Sequence, residues 1–274
     1  MCELTLSGFS VRGCLSSLIR SLNFFSNLKE LKLENLAIDE HDQCALLKSF
    51  RFIRNLTTLS VRVSGKKCLD SFHYYASGLK TVVSHAHDRV DLHGINLTSA
   101  IAVVLGQLLR GMSFLRELTL TGMDGSILGA EEMEALFGGL DKVMPLYRLT
   151  FSGFSVRGSI DSLHRRFRFF PSLKVLELSM LNMDEHDLRG LLESFRFIPN
   201  LQLLNLSGNP LGHAVTSIVP HVIKLKKLRY IWIDKTELSE EDLIYVRDTV
   251  HQALPGIQVE GAKTLPWWRS FYVI

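Results

Sequence analysis

The sequence repeats itself at two different lengths, and both periods restrict it to a fold built by stacking. Residues 4–13 read LTLSGFSVRG and residues 149–158 read LTFSGFSVRG, an offset of 145. The match runs on without a gap. Asp39-Glu40-His41-Asp42 recurs as Asp184-Glu185-His186-Asp187, and Ser49-Phe50-Arg51-Phe52-Ile53 recurs as Ser194-Phe195-Arg196-Phe197-Ile198. Between residues 4 and 56, 32 of 53 aligned positions are identical, which marks a duplicated block. Self-similarity at a fixed period is the signature of repeat architectures, in which no single unit buries its own apolar face.

A shorter period runs inside the block. The template L-x-x-L-x-L fits Leu28/Leu31/Leu33, Leu56/Leu59/Val61, Leu115/Leu118/Leu120 and Leu146/Leu149/Phe151. It continues at Leu173/Leu176/Leu178, Leu201/Leu204/Leu206 and Leu228/Ile231/Ile233, with weaker copies at Leu4/Leu6, Val90/Leu92 and Ile257/Val259. The last template positions stand 26–31 residues apart, and the first five intervals total the 145-residue offset, so the copied block is five whole repeats.

The physics of each unit agrees with that period. L-x-L alternates apolar and polar residues, as a half-buried strand does. Apolar residues at helical spacing follow, such as Cys44, Leu46, Leu47 and Phe50, or Leu188, Leu191, Leu192 and Phe195. Asp39, Thr98, Asp184 and Ser239 stand where helix N-caps belong. The expected fold is an α/β leucine-rich-repeat solenoid of about nine or ten units, with parallel strands on a concave face and helices on the convex one. It spans residues 1–262, the block 4–148 being partly duplicated from 149 on. Residues 263–274, with Trp267, Trp268, Phe271 and Tyr272, read as an aromatic capping tail. Residues 63–89 are the least regular and predict a distorted repeat with a longer loop.

Bulk properties exclude several classes. No run of 18 apolar residues predicts a membrane-spanning helix. The first residues show no basic segment leading into an apolar run, so no secretory signal is expected and the location is read as cytoplasmic. The sequons at Asn55, Asn96 and Asn205 are then expected to stay unmodified. Net charge is +3, too small to imply nucleic acid. The densest basic groups are Lys224, Lys226, Lys227 and Arg229, then Arg165, Arg166 and Arg168. Cys2, Cys14, Cys44 and Cys68 fit no CxxC zinc spacing and read as reduced structural thiols.

Candidate chemistry is sparse. His85, His87 and His93 with Asp88 or Asp91 form the one metal-like cluster, and a polar surface on a distorted repeat is the preferred reading. The two Asp-Glu-His-Asp groups stand at helix starts five repeats apart, which suits capping and the helix dipole better than acid–base work. No G-x-S-x-G elbow is present. No catalytic residue, cofactor or metal ion is expected.

The polar positions beside each L-x-L point away from the core. Towards the C-terminal end they include Arg148, Val175, Glu177, Leu203, Asn205, Tyr230, Trp232 and Asp234, and these are the candidate partner-binding residues. Exposed Trp and Tyr beside aliphatics are common anchors of protein interfaces. The competing expectation is that the aromatic tail folds back over this region.

The 27–31-residue period and residues 201–212, LQLLNLSGNPLG, resemble the ribonuclease-inhibitor class of leucine-rich repeats. That class includes the C-terminal regions of nucleotide-binding, leucine-rich-repeat immune receptors (NLRs), the receptors of innate immunity and inflammasomes. The pattern departs at one slot. The asparagine ending L-x-x-L-x-L-x-x-N stands only at Asn209, whereas Leu36, Met123, Phe154 and Leu181 fill that slot elsewhere. Turns without asparagine must close by packing and main-chain bonds. The irregular repeats look more like those of NLRs than like a plain ribonuclease inhibitor. No GxxxxGK[ST] loop is present. The chain opens inside a repeat, so it is expected to be part of a longer protein.

The resemblance implies a non-catalytic sensor or autoinhibitory domain, whose partner is a protein ligand or its own upstream nucleotide-binding module. The alternatives are the substrate-receptor repeat domain of a ubiquitin ligase, or a repeat protein akin to ribonuclease inhibitor or to GTPase activators.

Overall fold

In the computed structural model, residues 3–8, 15–22, 24, 27–50, 56–63, 88–110, 112, 114–122, 126–138, 140–141 and 145–261 are described. Ten parallel strands form one sheet in strict chain order. They are β1 (Glu3–Ser7), β2 (Glu30–Leu36), β3 (Thr58–Val63), β4 (Asp88–Ile95), β5 (Leu115–Gly122), β6 (Arg148–Ser152), β7 (Val175–Ser179), β8 (Leu203–Asn205), β9 (Tyr230–Trp232) and β10 (Gln258–Glu260). On the other side lie α1 (Leu15–Leu22), α2 (Glu40–Phe50), α3 (Ser99–Arg110), α4 (Ala130–Phe137), α5 (Asp161–His164), α6 (Glu185–Ser194), α7 (Val219–Val222) and α8 (Glu240–Ala253). Short 3-10 helices span Phe167–Phe169, Phe195–Phe197 and Gly212–Ile218. This is the expected leucine-rich-repeat solenoid, and α3 follows directly on the expected cap Thr98. His85 and His87 of the metal-like cluster, most of the irregular stretch 63–89 and the tail 263–274 lie outside the described residues.

The register follows the template. Leu4, Leu31, Leu59, Val90, Leu118, Leu149, Leu176, Leu204 and Ile231 pair in one row across the sheet. The last step departs from expectation: β10 sets Val259 beside Ile231, not Ile233. Gly261 therefore falls in the last template slot, and a Cβ built there would stand 3.0 Å from Ile233 Cγ1. A shift by two keeps every side chain on its own face, so alternation alone cannot detect it.

The leucine rows and the inner faces of the helices form one continuous core. Phe137, Phe151 and Phe154 are among its largest fully buried side chains. Phe151 meets Phe137 edge-on at 5.3 Å and stacks on Phe154 at 4.8 Å. Gly106 lets α3 and α4 close up, since a Cβ there would lie 2.0 Å from the Ala135 carbonyl oxygen.

In seven of the repeats a left-handed residue stands two places after the last template position, whereas Val63 and Gly122 in the same place do not take that conformation. Gly8 (φ 73°), Asn35 (53°), Gly94 (68°), Gly153 (75°), Met180 (51°), Gly208 (74°) and Lys235 (54°) all take this conformation. Glycine fills it without strain and asparagine tolerates it.

The helix starts are capped as expected. Asp39 Oδ1 accepts the Asp42 N–H at 2.8 Å, Thr98 Oγ1 the Ile101 N–H at 3.4 Å and Ser239 Oγ the Asp242 N–H at 3.1 Å. Asp184 and Asp187 cap each other's backbone N–H at 2.9 and 3.1 Å. Asp187 Oδ2 also accepts the Gly158 N–H at 2.9 Å, tying two repeats together.

In the asparagine slot, Leu36, Phe154 and Leu181 are buried. At the Leu181 turn the Leu181 carbonyl accepts the Val156 N–H of the preceding repeat at 2.9 Å, and the turn's own N–H groups go to a side chain of the next repeat. Asn209 is fully buried and spans two repeats. Its Oδ1 accepts from Leu181 N (2.9 Å) and Met183 N (3.3 Å), while its Nδ2 donates to the Leu178 (2.8 Å) and Leu206 (2.7 Å) carbonyls. One repeat further, buried Thr236 fills the slot and donates to the Ile233 carbonyl at 2.7 Å.

Candidate protein-binding face

The strand register sets two rows of side chains on the face opposite the core. Arg148, Val175, Leu203 and Tyr230 are successive partners in one row. Glu177, Asn205 and Trp232 are successive partners in the next. Asp234 follows Trp232 at the turn, where its N–H donates to Ser207 Oγ at 3.2 Å. The eight residues expected to bind a partner thus come from β6 to β9 and the turn after β9.

The face divides into a polar and an apolar half. In the polar half, Arg89 on β4 sits 2.7 Å from Asp91 and 3.6 Å from Glu117 on β5. Glu117 accepts a hydrogen bond from the Tyr147 hydroxyl and lies 4.0 Å from Arg148 Nε. Arg148 Nη1 reaches Glu177 Oε1 at 2.9 Å, and Thr150 Oγ1 donates to the same oxygen at 3.2 Å.

Burial pushes the Glu177 carboxyl above its ordinary range, against the pull of Arg148, Thr150 and Asn205. Burial, then the hydrogen bond to Glu117, pushes the Tyr147 hydroxyl up to about 12. The Asp91 Oδ1 atom is buried with no hydrogen-bond partner. Tyr147 was not legible as part of this network, because it precedes β6 and stands outside the L-x-L alternation.

The apolar half is a small cluster separate from the main core: Val175, Leu203 and Trp232, with Tyr230 packed against them. Trp232 is 6% exposed, so the expectation of a protruding indole is corrected; alternation assigns a side chain to a face without saying how far it is covered. Tyr230 is half-buried. At the far end, burial and the nearby Asp234 carboxylate raise the pKa of Glu260.

Asp39, His41 and Asp42 are the described residues whose ligand atoms gather as a metal site requires, all within 4.8 Å of one another. Asp39 is already engaged as the cap of α2. No described helix is long and apolar enough to cross a membrane.

No family model matches the chain, and no curated protein matches its sequence. Among solved structures, a protein from Bacteroides fragilis is similar with a TM-score of 0.51 at 17% identity, over 95% of this chain and 65% of that one. The leucine-rich-repeat ectodomain of the Arabidopsis receptor kinase HAESA, solved with a peptide hormone, matches with a TM-score of 0.40 at 16% identity, over 79% of this chain and 34% of that one. An internalin from Listeria monocytogenes matches with a TM-score of 0.36 at 12% identity, over 96% and 82%. At these identities the likeness is one of fold.

Proposed function

We propose that the chain is a non-catalytic protein-binding domain that takes its ligand on the concave face of β6 to β9. The observation that carries this reading is the juxtaposition of the Val175–Leu203–Trp232–Tyr230 cluster with the Arg148–Glu177–Asn205 network on one sheet face. An apolar centre beside fixed charged groups suits a protein interface, where aromatic anchors supply affinity and a polar surround supplies specificity. Trp232 and Leu203 form the floor, Tyr230 the contact surface, and Arg148, Glu177 and Asp234 the polar surround.

The repeat length, the block duplication and the lone ladder asparagine favour a ribonuclease-inhibitor-like array of the kind found in NLR receptors. In that setting the domain acts inside the cell as the C-terminal sensor or autoinhibitory region of an innate immune receptor, its partner being a protein ligand or the receptor's own nucleotide-binding module.

The test is comparative affinity capture with the wild-type chain, the concave variants Tyr230→Asp and Arg148→Glu, and the convex variant Tyr245→Asp. The reading expects one protein partner that is lost with both concave variants and kept with the convex one. A partner insensitive to both concave variants overturns it.

A further inference from the structure

Three successive turns from helix to strand, residues 164–174, 194–202 and 220–230, contain no acidic residue. The first carries Arg165, Arg166, Arg168 and Lys174, and the second carries Arg196. The third carries Lys224, Lys226, Lys227 and Arg229. In the sequence the two dense groups stand far apart; in the solenoid they lie along one edge, where the strands begin. Main-chain bonds run along this edge, from Gln202 N to the Lys174 carbonyl at 2.7 Å and from Arg229 N to the Gln202 carbonyl at 2.8 Å.

Arg165 and Arg166 are neutralised by Asp161 (2.8 Å) and Glu134 (2.6 Å). The remaining cations are exposed, and among the described residues none has a carboxylate within 4.0 Å. Two are held in place by rings: the Arg168 guanidinium lies 5.0 Å over Phe169 and that of Arg196 lies 4.8 Å over Phe197. A guanidinium resting on a ring keeps its N–H edge free for a bidentate acceptor. Lys227 Nζ donates to Asn200 Oδ1 at 2.6 Å, which fixes a third cation to the neighbouring turn.

We propose that this edge is a second docking surface, distinct from the concave face, for an acidic segment of a partner protein. Charge complementarity defines the partner's sign, and two features favour carboxylates over phosphates. Backbone N–H groups such as those of Gln202 and Arg229 are spent on neighbouring carbonyls, so the amide nests that seat phosphate are lacking there. The helices also end at this edge, and their carbonyl ends repel a compact anion seated near the backbone. Positive charge is therefore offered only at the tips of long side chains, spaced by the repeat, which suits carboxylates strung along a polypeptide.

The test uses the full chain and a fluorescent synthetic peptide of alternating acidic and Gly/Ser residues. A single-stranded RNA and phosphatidylserine vesicles serve as the competing probes. The peptide is expected to bind at low salt, and the variant Lys224→Glu/Lys226→Glu/Lys227→Glu to weaken it by about tenfold or more, because exposed charges attract over about 10 Å at 0.1 M salt. Arg189→Glu, on α6 outside the three turns and already paired with Glu185, is expected to leave it within about twofold, as surface charges are screened. Should the triple variant fail to fold, Arg168→Glu/Arg196→Glu tests the neighbouring turns of the same edge. Tighter binding of the RNA or the vesicles, equal weakening by Arg189→Glu, or no peptide binding at all would overturn the proposal.

Discussion

The guanidinium of Arg148 on β6 reaches across the sheet to the carboxylate of Glu177 on β7, Nη1 to Oε1 at 2.9 Å. Glu177 is otherwise pushed towards its neutral form by burial, and Arg148 is the strongest of the groups that oppose this. Removing Arg148 should therefore change the titration of Glu177 as well as an ion pair.

Arg148→Gln is predicted to move the Glu177 midpoint further up, as read by carboxyl-carbon NMR. A folded pKa raised above the unfolded value contributes stability below the unfolded pKa and loses it as pH rises through the folded pKa. The destabilisation caused by Arg148→Gln should thus be larger at neutral pH than near pH 4. Equal losses at both would mean that the pair is not coupled.

Asn209→Ala strips partners from Leu181 N, Met183 N and two carbonyls in a buried turn. With about 1–3 kcal/mol for each buried group left unsatisfied, and incomplete additivity, the loss in urea unfolding should be about 3 kcal/mol or more. Leu181→Asn should also destabilise, because its slot is packed with apolar side chains. A gain in stability from Leu181→Asn would show that the slot accepts asparagine in any repeat.

Gly106→Ala places a methyl group against the Ala135 carbonyl of the neighbouring helix. Overpacking of this kind costs about 1–3 kcal/mol, and thermal unfolding should report it. An unchanged melting temperature would show that α3 and α4 can separate at no cost.

Asp184→Ala removes the α6 cap and should cost about 1 kcal/mol. The Asp187 backbone N–H, foremost, holds the Asp184 pKa below the ordinary aspartate value. The stability from Asp184 is then present above the unfolded pKa and lost as pH falls through the folded one. The difference between wild type and Asp184→Ala should accordingly shrink in acid. A difference independent of pH would remove the charge from the account of the cap.

Most of this architecture is written locally, and the parts that are not legible share one physical cause. Leu31, Leu118 and Leu204 announce their strands because alternation is a property of the chain itself, and Asp184 announces α6 for the same reason. The register of β10 escapes because a two-residue slip at Val259 preserves the faces. Thr236 escapes as a ladder residue because its hydroxyl satisfies only its own turn. The coverage of Trp232 and the bond from Tyr147 to Glu117 depend on which side chains neighbouring strands bring together. Row membership of the concave residues was readable; their mutual contacts were not.

The most direct test of the concave-face account is site-specific photo-crosslinking, with a benzophenone amino acid at Tyr230 in one protein and at Tyr245, on exposed convex α8, in another. The account predicts a single protein adduct from position 230, suppressed by Arg148→Glu, and none of the same mass from position 245. An adduct formed equally at both positions, or at 245 alone, would contradict it.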